Sequence, residues 1–144
     1  MTRLALLIIA ALIAALALVG CGTAPTAAPT AAPTVATGAL PLEVSVDDAD
    51  ELRQAGALVL DVCEPAEWAT GHIEGATLIS LGELEARVGE LPRDRDIVVV
   101  CRSGNRSAQG RDVLLAAGFA AVTSMAGGMT DWIAAGLPVT RPGG

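Results

Sequence analysis

The 144-residue chain has no lysine and no tyrosine, and only one phenylalanine, one histidine and three cysteines. Without lysine there is no broad cationic track for phosphates, and with one Phe and two Trp there is no base-stacking platform. A net charge of −7 points the same way, so tight nucleic-acid binding is disfavoured. Three cysteines, at positions 21, 63 and 101, do not make a disulfide scaffold. With His72 as the sole imidazole a zinc lattice is excluded as well, and carboxylates at no ligand spacing give little support to any other metal site. No metal and no cofactor is expected.

Charge is also missing from the beginning of the chain, where Arg3 is the only charged residue before Glu43. Residues 4–19 form a 16-residue apolar run, long for a signal segment and short for a membrane span. Leu18-Val19-Gly20-Cys21 resembles the lipobox of bacterial lipoproteins, in which the cysteine is lipid-modified and becomes the new N-terminus. The resemblance implies a signal peptide over 1–20, lipidation of Cys21, and a domain tethered to a membrane outside the cytoplasm. An uncleaved signal anchor with Cys21 idle is the alternative, and it places the domain in the same compartment. Residues 21–40 then hold the modified cysteine and a Thr/Ala/Pro spacer. Pro25, Pro29 and Pro33 favour extended conformations there, enough to hold the domain up to roughly 50 Å off the bilayer. The leader and spacer account for much of the 52% hydrophobic content and the mean hydropathy of +0.54.

Residues 41–144 are long enough for one domain. Short apolar strands are expected at 42–46, 57–62, 76–79, 97–100 and 121–124, and helices at 48–54, 64–70, 82–91, 107–117 and 130–135. Strand and helix alternate throughout, which predicts an α/β fold with a mainly parallel sheet flanked by helices. The segment 97–100, Ile-Val-Val-Val, reads as the most buried strand.

Ligands of such sheets sit beyond the carboxyl ends of the strands. Cys101-Arg102-Ser103-Gly104-Asn105-Arg106-Ser107 lies there, joining the central strand to a helix N-terminus. Backbone N–H groups and the helix dipole can converge on one anion at such a junction. A thiol at its lip, near two arginines, should ionise below its ordinary range and act as a nucleophile.

These stretches resemble the single-domain rhodaneses over about residues 42–139. The likeness is carried by Asp61-Val62-Cys63-Glu64-Pro65 with Glu67-Trp68 and Gly71-His72-Ile73-Glu74-Gly75-Ala76, by residues 97–107, by Gly127-Gly128-Met129-Thr130-Asp131-Trp132, and by Gly136-Leu137-Pro138-Val139. The resemblance implies a sulfurtransferase in which Cys101 takes sulfane sulfur from a small anion such as thiosulfate or from a persulfide. A persulfide then forms, held by the amides of residues 102–107, and its sulfur passes to a thiol or cyanide acceptor. Arg102 is the expected anion attractor and Arg106 a loop-fixing or substrate-binding cation. Arg106 makes the loop Cys-x4-Arg, one residue shorter than the Cys-x5-Arg loop of related phosphatases, and the tighter ring suits sulfur. The alternative function is a non-catalytic or thiol-redox binding module at the membrane surface.

Asp61 ends a strand beside this loop and is expected either to orient loop amides or an arginine, or simply to cap the strand end. His72 is read as structural, and Trp68 and Trp132 as core anchors. Cys63 departs from the family pattern, which has arginine there. It is expected either to serve as a resolving thiol for Cys101 or to replace a surface arginine with no role.

Overall fold

Strands and helices alternate along residues 39–141, the part of the chain described by this computed structural model. The order is β1 (Glu43–Val44), α1 (Val46–Gln54), β2 (Leu58–Asp61), α2 (Pro65–Trp68), β3 (Thr77–Leu78), α3 (Leu81–Arg87), a 3-10 turn (Val88–Glu90), β4 (Ile97–Val100), α4 (Asn105–Ala116), β5 (Val122–Met125) and α5 (Gly128–Ala134). The expected signal segment, the lipidated Cys21 and most of the spacer lie outside the described residues. Among the described residues no helix is long and apolar enough to cross a membrane, and no His, Cys, Asp or Glu cluster could hold a metal ion.

The five strands form one sheet in the order β1-β5-β4-β2-β3, and all four ladders are parallel. The α/β expectation with a mainly parallel, helix-flanked sheet therefore holds. β4 occupies the centre, and its four residues are buried because both sheet faces are covered. Side-chain alternation divides the core in two. Leu60, Val62, Val99 and Cys101 pack with Leu84 of α3 and Leu114 of α4. Val59, Val98 and Val100 pack with Ala49 of α1 and Met129 and Trp132 of α5. Each fully buried Leu, Ile or Val contributes about 1.5–3 kcal/mol against exposure, so the central strands are the rigid floor under the loops that follow them.

Several boundaries differ from the sequence reading, each for a local reason. β1 stops at Val44 because Ser45 caps α1, its hydroxyl accepting from the Asp48 N–H at 3.2 Å. α3 gives way to the 3-10 turn at Val88. α4 begins at Asn105, two residues earlier than the periodicity indicates, because Gly104 caps it in a left-handed conformation at φ 94°. α5 likewise begins at Gly128. Near the chain end, an antiparallel bridge joins His72 to Thr140, tying that segment to the turn after α2.

Candidate active site

Because every strand pair is parallel, the loops after β2, β4 and β5 leave the sheet at one edge. Cys101 stands directly after β4 and is 1% exposed. Its Sγ accepts the N–H groups of Gly104 at 3.2 Å and Ser107 at 3.3 Å. Gly104 bends the chain sharply enough for both donors to reach one sulfur, and the Ser107 hydroxyl locks the bend by donating to the Gly104 carbonyl at 2.7 Å. Since α4 starts at Asn105, the Ser107 amide is one of the first-turn N–H groups that a helix leaves unpaired. Burial pushes the Cys101 thiol up. The amides of Ser103, Ser107 and Gly104, together with the Ser107 hydroxyl, outweigh burial and hold it below its ordinary range.

The two arginines of the loop part company. Arg106 donates both ends of its guanidinium to Glu67 of α2, at 2.7 and 2.8 Å. That hydrogen bonding lowers the Glu67 carboxyl against the opposing effect of burial. Arg106 is thereby occupied as a brace between α2 and the first turn of α4. Arg102 is exposed, and among the described residues it forms no ion pair. It lines a cavity of about 560 Å³ with Cys63, Glu67, Thr70, Met129 and Ile133.

The loop is also clasped from the other side. Met129 N–H donates to the Cys101 carbonyl at 2.8 Å, and Thr130 donates to the Arg102 carbonyl through its N–H at 3.0 Å and its hydroxyl at 2.9 Å. Gly128, at φ 59°, permits this approach, because a Cβ there would collide with the Cys101 carbonyl oxygen. Neither Glu67 nor the Met129/Thr130 clasp was identifiable as part of the site from residue types alone. The paired glycines at 127–128 ahead of a helix were the available signal.

Residues 45–135 match the Rhodanese-like domain family. The chain belongs to it. A sulfurtransferase of Allochromatium vinosum is 39% identical over 102 residues, covering 67% of this chain and 95% of that protein. The thiosulfate sulfurtransferase GlpE of Pseudomonas fluorescens is 38% identical over 86 residues, 60% of this chain and 79% of the relative. Among solved structures, a rhodanese-related protein of Thermoplasma volcanium superposes with a TM-score of 0.65 at 34% identity, covering 69% of this chain and 98% of that one.

In this rhodanese-like domain Cys63 is 3% exposed, which corrects the expectation of a surface replacement for arginine. Cys63 and Cys101 are both free thiols and belong to the same buried cluster. Asp61, 1% exposed, accepts the Cys63 N–H at 2.9 Å, so its hydrogen-bond partner is the turn after its own strand rather than an amide of the Cys101 loop. Burial raises the Asp61 carboxyl, opposed by its hydrogen bonds with Cys63 and the charges of His72 and Arg106. Burial also pushes the Cys63 thiol far up, reinforced by its hydrogen bond to Asp61 and the negative charges of Asp61 and Glu67.

The two tryptophans differ. Trp132 is 1% exposed and donates its indole N–H to the Pro138 carbonyl at 2.9 Å, as a core anchor should. Trp68 is only half-buried, a correction to the same expectation: its ring stacks on His72 with centroids 3.5 Å apart. His72 Nδ1 meets the Trp68 carbonyl at 3.1 Å, a backbone-bonded position.

Proposed function

We propose that this rhodanese-like chain is a sulfurtransferase that moves sulfane sulfur from a small anionic donor, with thiosulfate as the simplest case, to a thiol or cyanide through a persulfide on Cys101. The Cys101 thiolate attacks the outer sulfur of thiosulfate, the donor S–S bond breaks, and sulfite leaves with the electron pair. The resulting persulfide carries its negative charge on the terminal sulfur. A nucleophilic acceptor then bonds to that sulfur and expels the Cys101 thiolate. Arg102 supplies local positive charge for the incoming anion on an acidic protein. Arg106 keeps the loop in place through Glu67.

The observation that carries this reading is the pair of amide contacts to the Cys101 sulfur, at 3.2 and 3.3 Å. Donors fixed before reaction stabilise an anionic sulfur without reorganising. The mechanism uses protein groups and the two substrates alone. Attachment through Cys21 to the outer side of a membrane, read from the sequence, completes the proposal.

Intact mass measurement after incubation with thiosulfate tests it. Gain of one sulfur atom, reversed by cyanide and absent from Cys101→Ser, is expected. A wild-type chain that gains no sulfur would leave a binding module at the membrane surface as the better reading.

A further inference from the structure

We propose that Cys63 is a second sulfur-carrying residue, which receives the sulfane sulfur from Cys101 and presents it to acceptors in the adjoining cavity. The proposal rests on the persulfide chemistry of Cys101 set out above and names the route by which sulfur leaves it.

Placement comes first. β2 and β4 are neighbours with Asp61 opposite Val100, and pairing continues as Val62 N–H donates to the Val100 carbonyl at 2.9 Å. Cys63 and Cys101 therefore follow adjacent parallel strands at the same sheet edge, and such strands lie about 4.8 Å apart. That separation falls within the range that a direct sulfur–sulfur bond spans, roughly 4.4–6.8 Å. Both side chains lie in one buried cluster, and the charge of Arg106 is within electrostatic reach of both sulfurs.

Access comes second. Cys63 lines the cavity of about 560 Å³, together with Arg102, which forms no ion pair among the described residues. Such a cavity is far larger than thiosulfate requires, and its walls include the apolar Ala66, Met129 and Ile133. An organic thiol acceptor seated there lies against Cys63. A terminal persulfide sulfur on Cys63 would have the Arg102 guanidinium on the same cavity wall to balance its charge.

The chemistry sets the direction. The Cys63 proton passes to the Asp61 carboxylate, Cys63 Sγ bonds to the outer sulfur, the bond from that sulfur to Cys101 Sγ breaks, and Cys101 departs as a thiolate. No electrons enter or leave, because the transferred atom remains sulfane sulfur. Cys101 is the good leaving group of the pair, because the loop amides stabilise its thiolate, and Cys63 attacks only as Asp61 takes its proton. Attack on the inner sulfur, the resolving role that is one of two alternatives in the sequence reading, would instead expel hydrosulfide and leave a disulfide that needs an external reductant. It forgoes the amide-stabilised leaving group.

The test uses the full chain and thiosulfate carrying a heavy isotope at its outer sulfur, with no acceptor present. Alkylation followed by cleavage at arginine separates the two sites, with Cys63 in residues 54–87 and Cys101 in residues 96–102. Heavy sulfur is expected on both peptides of the wild type, on neither in Cys101→Ser, and on Cys101 alone in Cys63→Ala. In the last variant, turnover with an organic thiol should fall about tenfold. Heavy sulfur confined to Cys101 in the wild type overturns the relay and leaves the sulfurtransferase reading intact. A Cys63–Cys101 disulfide formed with release of hydrosulfide overturns it in favour of resolution. Heavy sulfur on neither wild-type peptide removes the underlying reading as well. The decisive mapping is made on the wild type, so a folding defect in a variant does not obscure it.

Discussion

Glu67 and Arg106 stand 39 positions apart in sequence, and their side chains meet in a two-pronged pair with contacts of 2.7 and 2.8 Å. The pair ties the short helix after β2 to the first turn of the helix after β4. It is the only ion pair among the described residues that joins residues far apart in sequence, since the other four join residues one to four positions apart. Its partners carry side chains 29% exposed, so water weakens the attraction without removing it.

Glu67→Gln keeps the shape of that contact and removes its charge. Thermal unfolding should report a loss of about 1 kcal/mol, the size expected for a partly buried bidentate pair. Sulfur transfer should fall severalfold, because the amide of Ser107 lies one residue beyond the freed Arg106. Unchanged turnover with cyanide as acceptor would show that the brace does not position the loop.

Cys101→Ser should abolish sulfur loading and leave the unfolding midpoint almost where it was. The hydroxyl is nearly isosteric and can accept the same amides, so a stability change within about 1 kcal/mol is expected. Residual thiosulfate:cyanide activity in this variant would take Cys101 out of the mechanism.

Much of this arrangement is legible in the sequence, and the reasons differ by residue. Ile97-Val98-Val99-Val100 read as the most buried strand, and the polar run after it with a lone thiol marked the site edge. The sequence did not show that Arg106 spends its guanidinium on Glu67, because a partner 39 positions away has no local signature. The burial of Cys63 was hidden for a similar reason. A residue just past a strand end takes its direction from the turn, and here the Asp61 carboxylate sets that turn by accepting the Cys63 amide. Helix starts were misplaced where glycine served as the cap, at Gly104 and Gly127, since glycine offers no side-chain oxygen to announce one.

Gly128→Ala examines the clasp between the two loops. A methyl group there meets the Cys101 carbonyl oxygen, and the left-handed backbone adds strain of its own. The combined cost should be about 2–3 kcal/mol, with loss of sulfur loading because the Cys101 carbonyl must move. Denaturant unfolding and the thiosulfate mass assay read the two effects separately. A variant as stable as the wild type would mean the turn relaxes without strain.

Anchoring through Cys21 has its own test. Cys21→Ser should prevent lipid attachment and change processing, while the wild type should incorporate a fatty-acid analogue and partition with membranes. Identical processing of both chains, with cleavage elsewhere, would indicate an ordinary signal peptide.

The two buried thiols should ionise on opposite sides of the ordinary thiol value. A cysteine reacts with iodoacetamide as its thiolate, so the midpoint of the rate profile follows the thiol's ionisation. For Cys101 the amide cage favours the anion, and the midpoint should fall below the unperturbed value of about 8.5. For Cys63 burial and the neighbouring Asp61 favour the protonated form, and labelling should begin only well above that value. Between the two midpoints, reagent should modify Cys101 alone. Replacing Asp61 by Asn removes the negative charge beside Cys63 and should move its profile downward, leaving that of Cys101 nearly in place. Peptide-resolved alkylation at a series of pH values measures both curves in one sample. Coincident profiles would contradict the electrostatic difference on which the direction of sulfur movement from Cys101 to Cys63 depends.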